Sequence, residues 1–160
     1  MIQLIGTALF EQIAKQAGRS PRKRMNHNFH AGPEDNPHRF LNVLLRGTYV
    51  RPHRHIHPPK SEAFLVLQGR AGVLTFDDVG RVQETFALGQ GEAQMGIDLG
   101  PGIWHTVIAL SDQVVCYEVK PGPWVPATDK DFAAWAPKEG EAAVDVCLAE
   151  WVARVEAKRR

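Results

Sequence analysis

Apolar residues open the chain at near-helical spacing. Leu4, Ile5, Leu9, Ile13 and Ala17 fall close to one side of a 3.6-residue period, and Gly18 is placed to end it. The pattern predicts a short amphipathic helix of about four turns at 1.5 Å rise per residue. Residues 19–38 are polar and rich in turn formers, with His27, His30 and His38 scattered among them. From Phe40 the pattern changes to short runs rich in β-branched and aromatic residues, at 40–45, 62–67, 71–76, 84–88, 106–110 and 114–119. Gly, Pro or Asp punctuates each gap, and Asp78 with Gly80 marks a hairpin loop. Many short strands with regular turn signals predict a mainly β sandwich or barrel. The strand signal stops after Trp124. A second helix is predicted over 139–157, with Ala143, Val146, Cys147, Glu150, Trp151 and Val155 sharing roughly one face. Trp124, Trp135 and Trp151 are assigned to packing under this extension. The chain therefore reads as one domain in three parts: a helix and polar arm over 1–38, a barrel over 39–122, and a helical extension over 123–160.

Composition narrows the possible partners. At 160 residues the chain is long enough for a single core. A formal charge of +1 gives no footing for nucleic acid or an anionic membrane. The basic stretches Arg22-Lys23-Arg24 and Lys158-Arg159-Arg160 read as solvated surface. No apolar run is long enough to span a bilayer, and the first residues lack a secretory pattern. Cys116 and Cys147 form no CxxC pair, so both are expected to be reduced in a cytoplasmic protein.

The candidate chemistry is concentrated in histidines. His53, His55 and His57 occupy alternate positions, and in an extended strand such side chains share one face about 6.6 Å apart along the backbone. Imidazoles at that separation can tilt onto one ion at about 2.0–2.1 Å per nitrogen. Pro58-Pro59 signals a turn that returns Glu62 on the neighbouring strand, and Gly102-Ile-Trp-His105 offers a further nitrogen. This is the donor set of a metal site on a β-scaffold. Spacing alone leaves open whether His53 and His55, or His55 and His57, supply the first pair.

The segment from Gly47 to Gly69 resembles the first cupin motif, with Gly47, His53, His55, Glu62 and Gly69 filling its positions. Six residues separate His55 from Glu62, where cupins usually have three or four. The stretch 96–109 resembles the second motif through Gly102 and His105, although Gly100 replaces its proline and Ala109 its asparagine. Beyond the barrel, Arg24-Met-Asn-His-Asn-Phe-His30, Arg39, the 47–55 and 96–107 segments, Glu118-Val-Lys-Pro-Gly-Pro-Trp124 and Asp129-Lys-Asp-Phe-Ala-Ala-Trp-Ala-Pro137 are similar to the WbuC family, over nearly the whole chain. The resemblance implies a cupin-type double-stranded β-helix, or jelly-roll barrel, with short terminal helices. It also implies one bound divalent transition metal and a link to O-antigen and other surface-polysaccharide gene clusters.

Gly47 favours His53 and His55 as the paired ligands, and the Pro58 turn puts His57 at the rim. The expected metal set is therefore His53, His55, Glu62 and His105, around Zn, Fe, Mn, Ni or Co. Three nitrogens and one carboxylate leave one or two positions for water or substrate, as a catalytic metal needs. Tyr49 and Arg51 share strand parity with the histidines and are the candidate catalytic side chains. Arg39, Asn28 and His30 are the candidate ligand-binding residues, the last two on an arm folded over the barrel mouth. Trp104 is expected to face away from the metal, and Phe64 and Val66 to wall the pocket. The expected function is a metal-dependent isomerase or epimerase acting on a sugar or sugar-nucleotide. An Fe(II)-dependent dioxygenase and a non-catalytic small-molecule binding module are the alternatives. A homodimer through outer strands is expected.

Overall fold

The computed structural model describes residues 2–158, so Arg159 and Arg160 of the basic tail lie outside the described residues. Helix α1 spans Thr7–Arg19 and is followed by strands β1 (Arg24–Asn28), β2 (His38–Leu45), β3 (His53–Arg54), β4 (Glu62–Gln68) and β5 (Arg70–Phe76). Then come β6 (Val82–Gly89), β7 (Gly96–Leu99), β8 (Trp104–Ala109), β9 (Gln113–Lys120), β10 (Asp131–Phe132) and helix α2 (Ala143–Ala157). Two five-stranded sheets result, ordered β1-β2-β9-β4-β7 and β10-β3-β8-β5-β6. Their ladders are antiparallel throughout. This is the mainly β sandwich that the strand pattern predicts, and it fits the jelly roll with short terminal helices that the cupin resemblance implies.

Alternation along each strand distributes side chains among three cores. Leu44, Phe64, Val66, Val73, Leu88, Val107 and Val114 meet between the sheets. Leu41, Val43 and Val115 project from the opposite face of the first sheet onto Phe10, Ile13 and Ala17 of α1. Leu74, Phe76 and Ile108 project from the outer face of the second sheet onto Trp151 and Val155 of α2. Each helix thus covers one sheet exterior. Burial of a side chain such as Ile13 is worth about 1.5–3 kcal/mol.

Both helices are shorter than the sequence pattern suggests. Gly6 is fully extended at the start of α1, so Leu4 and Ile5 precede the helix and are exposed. Gly18 lies inside α1, and extended Ser20 ends it. In α2 the packed stripe runs through Val144, Cys147, Leu148, Trp151, Val152 and Val155. Val146, expected on that stripe, is five residues from Trp151 and lies exposed on the other side. The hairpin at 77–81 forms as expected, with Asp77 Oδ1 accepting from the backbone N–H groups of Val79 and Arg81. Gly69 links β4 to β5 at φ +77°, where a Cβ would sit 2.2 Å from the Gln113 carbonyl oxygen, so the turn requires glycine.

The parts read as extensions enter the sheets. β1 pairs along β2, and β10 pairs β3, placing Phe132 opposite His53. Among the described residues no helix is long and apolar enough to cross a membrane.

Candidate metal centre

The β3–β8 pairing sets His53 directly opposite His105. Their ring centroids are 4.5 Å apart, and His55, just beyond β3, brings its ring within 5.2 Å of His53. Glu62 opens β4 on the facing sheet. All four side chains are buried, and one ligand atom from each lies within 4.8 Å of the others. His57 is exposed at the rim beside Pro58 and is not part of this group. The six residues between His55 and Glu62 form a loop that drives Lys60 inward, where its ammonium donates to the Pro123 carbonyl at 2.6 Å.

Hydrogen bonding fixes which nitrogen each imidazole offers. His53 Nδ1 donates to the Arg51 carbonyl at 3.0 Å, His105 Nδ1 to the Ile103 carbonyl at 2.8 Å, and His55 Nδ1 to the Asp129 carbonyl. A carbonyl only accepts, so each Nδ1 carries the proton and each Nε2 of a neutral ring presents a lone pair. Burial pushes the His53 imidazole well below its ordinary range, with Lys130 and His105 adding to the effect, and so keeps it neutral. His105 Nε2 lies 3.1 Å and His55 Nε2 3.5 Å from Glu62 Oε2. With Nδ1 as the donor, both are contacts between electron-rich atoms. His55 Nε2 is buried without a hydrogen-bond partner. An acceptor that is desolvated and unpaired is costly, and a cation removes the cost. The residues therefore fit one divalent transition ion held by three nitrogens and an oxygen.

Ionised groups stand behind the donors. Asp129 accepts from Lys60 Nζ at 3.1 Å and Lys120 Nζ at 2.8 Å, all three side chains nearly solvent-free. Lys120 Nζ is 3.9 Å from Glu62 Oε1. Burial works to raise the Asp129 carboxyl, but the Lys120 charge and the bonds from both lysines hold it below the usual range. Because its backbone carbonyl also holds His55, Asp129 ties the ligand shell to this ion cluster. Glu118 accepts from Asn42 Nδ2 at 2.7 Å. Burial first, and the nearby Glu62 second, push the Glu118 carboxyl up to about 7.

The other sequence candidates lie elsewhere. Tyr49 packs outside the second sheet, stacked on Trp151, and its hydroxyl donates to the Pro137 carbonyl. Arg51 turns to the β10 segment, where Nη2 donates to the Ala133 carbonyl at 2.6 Å. Neither side chain is brought into the four-donor group. Strand parity does not hold here because residues 48–52 are not a strand, so Val50 and His53 both face inward although three positions apart. Arg39 is exposed on the outward-alternating side of β2. Asn28 and His30 line a pocket beside the site with Lys120. Trp104 faces outward, its indole N–H donating to Asp78. Trp124 is half exposed in the same pocket as Asn28 rather than buried under α2. Glu118 and Lys120 were readable as alternate charges on an apolar strand. Lys60 sits in a loop with no local signal, and Asp129, also in a loop, was marked only by opening the WbuC-like segment 129–137.

Two facing antiparallel sheets with three histidines and a glutamate converging between them define a cupin-type fold with a candidate metal centre. The chain belongs to the family described as a domain of unknown function, DUF6016, whose model matches residues 5–88. No curated protein matches. Among solved structures, the chain is similar to the capsular polysaccharide assembling protein CapF from Staphylococcus aureus at 23% identity and TM-score 0.54, over 71% of this chain and 32% of that one. It therefore spans about a third of the length of CapF. An L-ribose isomerase from Cellulomonas parahominis, solved with L-psicose, is 14% identical with TM-score 0.53, over 71% and 70% of the two chains. A cupin 2 domain-containing protein from Halorhodospira halophila is 17% identical with TM-score 0.47, over 82% and 81%. At these identities the likenesses to CapF and to the isomerase bear on fold alone.

Proposed function

We propose that this chain is a metal-dependent enzyme acting on a sugar or sugar-nucleotide, by isomerisation or epimerisation, in bacterial surface-polysaccharide metabolism. The observation that carries the metal reading is the convergence of three imidazole nitrogens and the Glu62 carboxylate within 4.8 Å, with each ring's Nδ1 donating to a backbone carbonyl. A divalent ion held there supplies Lewis acidity toward a carbonyl or hydroxyl oxygen. The reaction class also needs a group that takes up and returns a proton near neutral pH. Glu118, buried inside the barrel and raised to about 7, has the acidity for that role. Lys120 and Asp129 keep Glu62 and His55 in place while the proton moves. The substrate class draws support from the WbuC-like motifs, and the fold is one that the sugar isomerase and the capsule protein also have.

Isomerisation or epimerisation at a carbon exchanges its proton with solvent, so deuterium incorporation is the test. Metal-reconstituted protein is incubated in D2O with free and nucleotide-linked hexoses and followed by NMR. Exchange in wild type, and its loss in Glu118→Gln at unchanged metal content, is the expected result. Sugar consumption that requires O2 instead identifies a dioxygenase, and binding without any turnover identifies a binding module.

The apolar outer face of β4, where Leu65 and Leu67 are exposed, supports a homodimer, which light scattering tests directly. The two free cysteines support a reducing, cytoplasmic setting.

A further inference from the structure

The pocket beside the metal centre has a volume of about 400 Å³, enough for a small ligand. β1 supplies Asn26 and Asn28, which alternate onto the inner face, and the loop after β1 supplies His30 and Pro33. β2 supplies His38 and Phe40, β9 supplies Lys120 at the inner end, and Trp124 forms a further wall. Lys120 is also the group 3.9 Å from Glu62, so the pocket abuts the metal ligands through one side chain.

The lining has the chemistry of a polyhydroxylated ring. The amides of Asn26 and Asn28 make no hydrogen bond with any described residue, and each offers two donors and an acceptor. His30 and His38 are stacked 4.0 Å apart. His30 Nδ1 meets both the backbone N–H and the carbonyl of Arg39, and His38 Nε2 donates to the Pro33 carbonyl, leaving the other nitrogen of each ring uncommitted. Trp124 and Phe40 provide apolar π faces suited to the C–H face of a pyranose. A phosphate would instead need uncommitted cations. Lys120 is engaged by Asp129 and Glu62, and the exposed Arg39 does not line the pocket.

We infer that this pocket is the binding subsite for a neutral sugar ring, held between Trp124 and the amides of Asn26 and Asn28 with one edge toward Lys120 and the metal ligands. The inference rests on the sugar reading above and adds that the recognised part is the uncharged ring rather than a nucleotide phosphate. Being built from side chains other than the ligands, the subsite binds sugar whether or not turnover occurs.

The test is saturation-transfer NMR on the full chain with D-glucose, D-galactose, N-acetyl-D-glucosamine and L-rhamnose, each alone, with UDP as the phosphate control. Measurements on wild type, Trp124→Ala, Asn28→Ala and His105→Ala are paired with metal content and circular dichroism. Transfer to ring protons of at least one sugar is expected in wild type and in His105→Ala, with affinity falling at least tenfold in Trp124→Ala and Asn28→Ala at unchanged metal content. No transfer from any of the four sugars overturns the inference. So does equal affinity in the two pocket variants, or UDP binding that depends on Trp124 while the sugars do not bind. Pocket-dependent sugar binding by a chain that shows no exchange in D2O retains the subsite and refutes the enzyme reading.

Discussion

Replacing Asp129 by Asn tests how the ligand shell is supported. The side chains of Asp129 and Lys60 are each 3% exposed and that of Lys120 is 7% exposed, so the carboxylate answers two ammonium groups almost without water. Removing one partner from a buried pair leaves uncompensated charge and costs about 3–5 kcal/mol, against less than about 1 kcal/mol for a solvated pair. Arg46 and Asp112, 57% and 95% exposed at 2.8 Å, supply that internal comparison. Asp129→Asn should therefore lower stability by about 3–5 kcal/mol, or roughly 6–20 °C in Tm for a chain of this size. Asp112→Asn should stay below about 1 kcal/mol. Urea denaturation of apo protein measures both. The pH dependence has a fixed sign. Because the folded-state carboxyl is held below its ordinary range, its contribution is complete above the unfolded value near 3.9 and disappears as pH falls through the folded value. The gap between wild type and Asp129→Asn should close in acid. A loss no larger than that of Asp112→Asn, or a gap independent of pH, would refute the reasoning.

Other outcomes follow from the same geometry. His105→Ala should weaken metal binding by more than the roughly 10–100-fold typical of losing a residue behind a ligand, while far-UV circular dichroism stays native; competition with a metallochromic chelator measures it. For Glu118, the folded value near 7 exceeds the unfolded one, so apo wild type should lose stability as pH rises from about 4.5 to 7. Glu118→Gln should remove that slope and be about 3 kcal/mol more stable than wild type at pH 8, by denaturant titration at pH 5 and 8. Ile13→Ala, which empties a fully buried site between α1 and β2, should cost about 2–5 kcal/mol without altering metal affinity.

The β-branched runs and their turn residues located the six long strands because alternation in a sheet with one face inward leaves a strong local signature. β1, β3, β7 and β10 escaped the pattern. Arg24–Asn28 is polar because its inner face lines the pocket, and β3 and β10 are two-residue pairings fixed only by the fold. The histidine and glutamate spacing was legible since a cross-strand metal site imposes alternation on one strand and a single residue on each neighbour. Tyr49 and Arg51 misled because residues 48–52 form no strand, so the alternation on which parity depends does not reach them. The Lys60–Asp129–Lys120 cluster joins residues far apart in sequence, so only the closed barrel reveals it.

The central claim is that His53, His55, Glu62 and His105 hold one metal ion, and elemental analysis tests it most directly. Protein purified without added metal is compared with a His53→Ala/His55→Ala variant, both repeated after reconstitution with Zn, Fe, Mn, Ni and Co salts. Close to one ion per wild-type chain, lost in the variant, is the expected result. Metal absent from wild type even after reconstitution, or retained equally by the variant, would contradict it.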